Sequence, residues 1–198
     1  MRGSIALLAL CSLVFACGET EDRDGALEQD TADMIADTGL PAPGSTAVGD
    51  SARADIVDAH GVGIGAVIVT AQDGGVALRG ALISLPPGEH GFHIHQTGGC
   101  EPPISESAGS HEAPDGNPHG FDVAGGPHAG DLRNLVVAAD STATVDQANE
   151  RVTLRGGDVE LLDGDGSALV IHAGPDDYTT QPSGGSGEPI ACGVIEGD

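Results

Sequence analysis

The chain has 198 residues, enough for one domain with a sizeable core and few for two ordinary ones. Its seven cations, all Arg, stand against 31 acids, and a formal charge of −24 argues against a nucleic-acid binder, which needs a cationic footprint. Thirty-two Gly, twelve Pro and no Trp argue against a helical bundle and leave Val, Ile, Leu and Ala to build a core of short elements joined by many turns.

Residues 1–17, MRGSIALLALCSLVFAC, place Arg2 before an apolar run from Ile5 to Ala16. The run is shorter than the roughly 20 residues a spanning helix needs, so it reads as the apolar part of an export signal. Ending in Val-Phe-Ala-Cys, it resembles a bacterial lipoprotein signal, in which Cys17 becomes the acylated first residue; an ordinary secretory signal cut nearby is the alternative. Either way the chain is expected to be exported, and the lipid reading anchors it to a membrane of the bacterial cell envelope, facing the periplasm or the cell surface. Residues 18–52 are acidic and rich in small residues, with no sustained apolar period, and are expected to form a flexible tether. An amphipathic helix over Ala26–Ala36 is the competing reading.

From residue 53 to 198 the pattern becomes strand-like. GVGIGAVIVTAQ, GVALRGALISL, RNLVVAAD, ERVTLRG, SALVIHA and IACGVIE are short Val/Ile/Leu-rich runs separated by Gly-, Asp- and Pro-containing turns. Strands without intervening helices predict an all-β sandwich or barrel. Gly98 to Gly130 is the exception: a loop this long is unusual in a compact domain unless it is functional.

Histidine spacing gives that loop a purpose. In HGFHIH, His93 and His95 are two apart on an apolar strand, so both project from one face and can share a ligand, although a surface pair would look the same locally. His111, His119 and His128 follow within the loop, with Asp131 three residues beyond. Three imidazoles and a carboxylate suit a tetrahedral zinc, and a metal would let a loop without its own core hold a shape.

The blocks GEHGFHIHQTGGCEPP, SAGSHEAPDGNPHG, GPHAGDLRNLVV, SALVIHAGPDDYTTQPSG and IACGVI, in that order, resemble the copper/zinc superoxide dismutase family, especially its exported bacterial branch. The resemblance covers residues 53–198 and implies a Greek-key β-sandwich or flattened barrel with long metal-binding and channel loops. It implies copper on His93, His95, His111 and His172, and zinc on His111, His119, His128 and Asp131, with His111 shared. Asp176 matches the family's carboxylate that hydrogen-bonds one histidine from each metal, and His90 a structural histidine outside the ligand set. His60, in a predicted turn, reads as a surface residue.

With Cys11 in the apolar run and Cys17 at its end, Cys100 and Cys192 remain for the exported domain, where two thiols invite a disulfide. The resemblance pairs the same two. One position departs from the family: the Arg three residues before the last Cys, which receives the superoxide anion, is Pro189 here, preceded by Glu188. Arg133, in the GDLRNL segment, is the candidate substitute. The expected activity is disproportionation of superoxide to dioxygen and hydrogen peroxide, with His111 and solvent supplying protons and capture slowed by the missing Arg. The alternative is a copper- or zinc-binding protein for storage, delivery or sensing on the same scaffold.

Overall fold

The computed structural model describes residues 51–197 apart from Pro103; Cys17, the export signal and the tether up to residue 50 lie outside the described residues. The described chain forms β1 (Ser51–Asp58), β2 (Gly63–Gln72), β3 (Gly75–Leu82), β4 (Gly88–His90), β5 (Phe92–His95), α1 (Ile104–Ser107), β6 (Leu135–Val137), β7 (Ala143–Asn149), β8 (Ala168–His172) and β9 (Pro189–Gly197). β1 begins inside the stretch assigned above to the tether, and Ala52 is already buried.

All these strands join one antiparallel sheet in the order β4-β6-β7-β3-β2-β1-β9-β8-β5. The two edge strands, β4 and β5, are separated in sequence by Gly91 alone, so the chain itself closes the sheet into a flattened barrel. The Gly91 carbonyl accepts the His172 N–H at 2.9 Å, and the Gly91 N–H donates to the Gly174 carbonyl at 2.8 Å. A Cβ there would lie 2.6 Å from Ser186 Cβ, so only glycine makes this step.

Alternation along the strands decides what faces inward. Ile64, Val67 and Val69 of β2, Val76, Leu78 and Leu82 of β3, and Phe92 and Ile94 of β5 join Ile56, Leu132, Leu169 and Ile171 in one core, while Arg79 and Ala81 face out. The expected Val/Ile/Leu/Ala core is therefore present, with Phe92 its one aromatic side chain among the described residues. ERVTLRG, expected as a strand, is not one. Val152 and Leu154 are buried as strand alternation would have them, but the backbone makes only an isolated bridge, Thr153 with Glu160, before turning through Gly156 and Gly157. The strand is the preceding ATVDQAN, β7, where small and amide side chains hide the alternation of buried Ala143, Val145 and Asn149 with exposed Thr144, Asp146 and Ala148.

Cys100 and Cys192 form a disulfide with Cα atoms 5.8 Å apart. It ties the start of the long loop to β9, beside a small apolar cluster of Ile104, Ala108, Ala168 and Val170. Closing 92 residues is worth roughly 4–5 kcal/mol in the chain-entropy account.

Candidate metal centre

In β5, Phe92 and Ile94 enter the core, and His93 and His95 project from the other face. The outer edge of β5 is taken up by two pieces of the long loop. Glu112 N–H donates to the Ile94 carbonyl at 2.9 Å, Ile94 N–H to the Gly130 carbonyl at 2.8 Å and Gln96 N–H to the Ser110 carbonyl at 2.9 Å. This pairing sets His95 opposite His111 and His93 opposite Asp131. On the other side β8 pairs with β5 and ends at His172.

Ligand atoms of His93, His95, His111 and His172 lie within 4.8 Å of one another, and all four residues are buried. Each ring has its far nitrogen occupied. His93 Nε2 lies 2.8 Å from Asp176 Oδ2, His95 Nδ1 donates to Gly109 O at 2.8 Å, and His172 Nδ1 donates to Gly187 O at 2.9 Å. His111 Nδ1 lies 3.0 Å from Asp131 Oδ1. The opposite nitrogens, His93 Nδ1 and Nε2 of His95, His111 and His172, are buried without a hydrogen-bond partner. Buried polar atoms are ordinarily satisfied, so four bare imidazole nitrogens in one cluster fit a transition metal such as copper. Burial, opposed by the contact with Asp176, takes the His93 pKa down to about 3. Burial and the neighbouring imidazoles take His95 to about 3 as well, and His172 is lowered chiefly by burial. These rings offer lone pairs, not protons, at neutral pH.

A second group shares His111. Asp131 Oδ1 lies 3.0 Å from Nδ1 of both His111 and His119 and 3.5 Å from His128 Nδ1, while His128 Nδ1 and His111 Nδ1 are 3.4 Å apart. A tetrahedron with metal bonds of about 2.0–2.1 Å has edges of about 3.3–3.4 Å, so these four atoms stand near the separations zinc requires. Asp131 Oδ2 is turned away, accepting from Gly120 N–H at 2.9 Å and His128 N–H at 3.0 Å. Burial acts to raise the Asp131 pKa, but hydrogen bonds from His111, His119 and Gly120 hold it well below the usual carboxylate range. For His119 burial acts downward and is outweighed by Asp131 and Asp176, leaving the pKa at about 9.

Asp176 joins the two groups, with Oδ2 on His93 and Oδ1 3.0 Å from His119 Nε2. It is kept in place by Asn134, which donates from Nδ2 to the Asp176 carbonyl and accepts the Asp176 N–H. Gly184 covers this junction: its φ is +67°, and a Cβ would collide with Asp176 Oδ1. Gln181 grips the His119 backbone, accepting its N–H at 2.9 Å and donating to its carbonyl at 2.8 Å. Asn134, Gln181 and Gly184 are not singled out by the sequence, because amides and glycines in a polar loop carry no spacing signal. His90 sits apart, its ring between the carbonyls of His172 and Pro86 at 2.7 and 2.8 Å, and His60 is exposed in a turn.

The family model for copper/zinc superoxide dismutase matches residues 64–195. The chain belongs to the copper/zinc superoxide dismutase family. The "Superoxide dismutase [Cu-Zn]" of Caulobacter vibrioides is 43% identical over 149 residues, 74% of this chain and 86% of that protein. The Escherichia coli protein of the same name is 40% identical over 166 residues, covering 78% and 92%. Among solved structures, a superoxide dismutase-like protein from Bacillus subtilis is 39% identical, with a TM-score of 0.70 over 72% of this chain and 97% of that one. As a copper/zinc superoxide dismutase, the chain uses copper and zinc, and the two donor groups fit both.

A pocket of about 470 Å³ opens over His95, His111 and His172. Its rim includes Gln96, Ser183, Glu188 and Pro189, and among its lining residues Glu188 is the one carboxylate and no Arg occurs. Arg133 does not line it. That guanidinium lies 3.9 Å over the Phe121 ring and borders a separate cleft with Asp146 and Gln147, so the candidate substitute for the channel cation is directed elsewhere.

Proposed function

We propose that this dismutase holds copper on His93, His95, His111 and His172 and zinc on His111, His119, His128 and Asp131, with His111 bridging the two. The observation that carries this reading is His111 itself, whose Nδ1 faces Asp131 while its Nε2 stays buried and bare beside the other three free nitrogens. When bound, copper supplies a one-electron redox couple and zinc a redox-silent charge. The net reaction takes two superoxide anions and two protons to one dioxygen and one hydrogen peroxide. The protons come from solvent in the pocket and from His111, whose Nε2 would carry one only while it is not serving as a copper donor. Asp176 and the carbonyls of Gly109 and Gly187 fix the tautomers of the remaining rings, so each lone pair points inward.

Capture is the weak step. Residues 53–198 carry twenty-two acids and five Arg, so the domain repels an anion at long range, and Glu188 stands at the pocket beside Pro189, the position where the family pattern has an Arg. The same feature favours a second reading, a copper- or zinc-binding protein with little turnover. Metal analysis of the native protein with a dismutation assay separates them: one copper and one zinc with turnover supports the enzyme, and full metal without turnover supports the binder.

Export and lipidation at Cys17 belong to the same proposal, supported by the apolar run before Cys17 and by a disulfide suited to an oxidising compartment. Cys17→Ser is expected to yield soluble or unprocessed protein; a mature start well downstream, without lipid, refutes the anchor.

A further inference from the structure

Just past the end of β7, Arg151 reaches back under the loop that carries His128 and Asp131. Its Nη2 donates to the Asp131 carbonyl at 2.7 Å and its Nε to the His128 carbonyl at 3.2 Å. The Ala129 carbonyl between them accepts from Asn149 Nδ2 at 2.8 Å, and Asn149 Oδ1 in turn accepts the Arg151 N–H at 2.9 Å. The Gly130 carbonyl accepts from Ile94 N–H on β5. Every carbonyl from His128 to Asp131 is thus held, two by one guanidinium. Arg151 is partly buried, and its guanidinium carbon lies 5.3 Å from the Phe121 ring centroid, so the group is packed as well as bonded.

We propose that Arg151 is a positioning residue for zinc: its planar fork fixes residues 128–131 so that His128 Nδ1 and Asp131 Oδ1 face His111 and His119 at zinc-binding separations. This rests on the zinc assignment above. Two effects of the guanidinium oppose one another. As a charge it repels a dication; as a fork it removes the freedom of two of the ligands. The backbone contacts at 2.7 and 3.2 Å make the second effect the larger, since outer partners of metal ligands commonly govern about 10–100-fold in affinity.

The test uses mature full-length protein with Arg151→Gln, which removes the charge and the fork, and Arg151→Lys, which keeps the charge alone. Zinc affinity is measured by chelator competition, ligand geometry by the visible spectrum of cobalt placed in the zinc site, and stability as Tm with and without zinc. Arg151→Gln is expected to weaken zinc by about 10–100-fold, to distort the cobalt spectrum and to shrink the zinc-induced rise in Tm. Arg151→Lys falls between Gln and wild type. If Arg151→Gln binds zinc as tightly as wild type or more tightly, or if both Tm values drop equally with affinity and spectrum unchanged, the proposal is overturned. Should Arg151→Gln not fold, the Lys variant decides by the same readouts. His119→Ala tests the zinc assignment separately: if it keeps wild-type zinc, the assignment itself fails, whereas zinc loss there with intact binding in the Arg151 variants removes only this inference.

Discussion

The two donor groups meet at His111 but are built differently. His93, His95 and His172 ride on β5 and β8, neighbouring strands whose register places their rings, and main-chain carbonyls or Asp176 hold their far nitrogens. His119, His128 and Asp131 sit outside any strand, and side chains of Gln181, Asn149 and Arg151 hold their backbone. A pleated sheet fixes donors through main-chain bonds that exist whatever the metal content. A loop needs polar braces and gains from the ion itself. The copper-side cluster should therefore be largely preformed, and the zinc side should depend on its metal.

The sharpest way to break this division is to remove one ligand from each half. His172→Ala should lose copper and bring dismutation to background while keeping most zinc; His119→Ala should lose mainly zinc. Equal loss of both metals from both folded variants, measured by elemental analysis, ends the division. Next in size is the disulfide, the covalent tie between loop and barrel. Replacing Cys100 and Cys192 with Ser should cost roughly 4 kcal/mol, read from denaturant unfolding, and a loss below about 1 kcal/mol would show that the loop is anchored by other contacts.

Metal removal should then act unequally: hydrogen exchange of residues 98–130 should rise when zinc is chelated, while that of β5 and β8 changes little. Proton release sharpens the same contrast. His119, with a pKa of about 9, carries a second ring proton at pH 7 that zinc must displace, whereas His93 and His95, at about 3, are neutral and each already has one nitrogen without a proton. Calorimetry in buffers of differing ionisation enthalpy should show zinc uptake releasing a proton from His119 and copper uptake releasing none from His93 or His95. The sign for metal-free stability follows. His119 contributes stability below its unfolded pKa of about 6.5 that is lost as pH rises through about 9. His93 and His95 lose stability as pH falls from about 6.5 towards about 3. The smallest expected effect lies at the pocket. Glu188→Gly with Pro189→Arg should raise the second-order rate several-fold without changing metal content and should make it fall more steeply with salt. Superoxide dismutase is itself a standard example of an enzyme at the diffusional ceiling of roughly 10⁸–10⁹ M⁻¹s⁻¹, and a wild-type rate already near that ceiling would mean another group replaces the Arg.

Legibility follows the same divide. His93 and His95 are readable as one strand face because the pleat has period two, and the Val/Ile/Leu runs of β2, β3 and β8 announce themselves by burial demand. The loop ligands His111, His119, His128 and Asp131 suggest a zinc set by residue type and spacing within one loop, but the sharing of His111 and the addition of His172 to His93 and His95 come from resemblance, since no local period relates them. ATVDQAN escapes notice because its inward positions are Ala, Val and Asn, while ERVTLRG imitates a strand through two core-facing side chains. Arg151 leaves no trace in the sequence: a single Arg after a strand looks like a solvated charge until its carbonyl partners are seen.

The closure at Gly91 also bears on self-association. An open sheet offers unpaired N–H and C=O groups to another copy, and such edges template aggregation. Here β4 is three residues long, and β5 has its outer edge covered by residues 110–112 and 130 of the metal loop. If zinc holds the loop as proposed, its loss would also uncover an edge: with the loop loosened, the Ile94 N–H and C=O now paired with Gly130 and Glu112 would become available to a neighbouring chain.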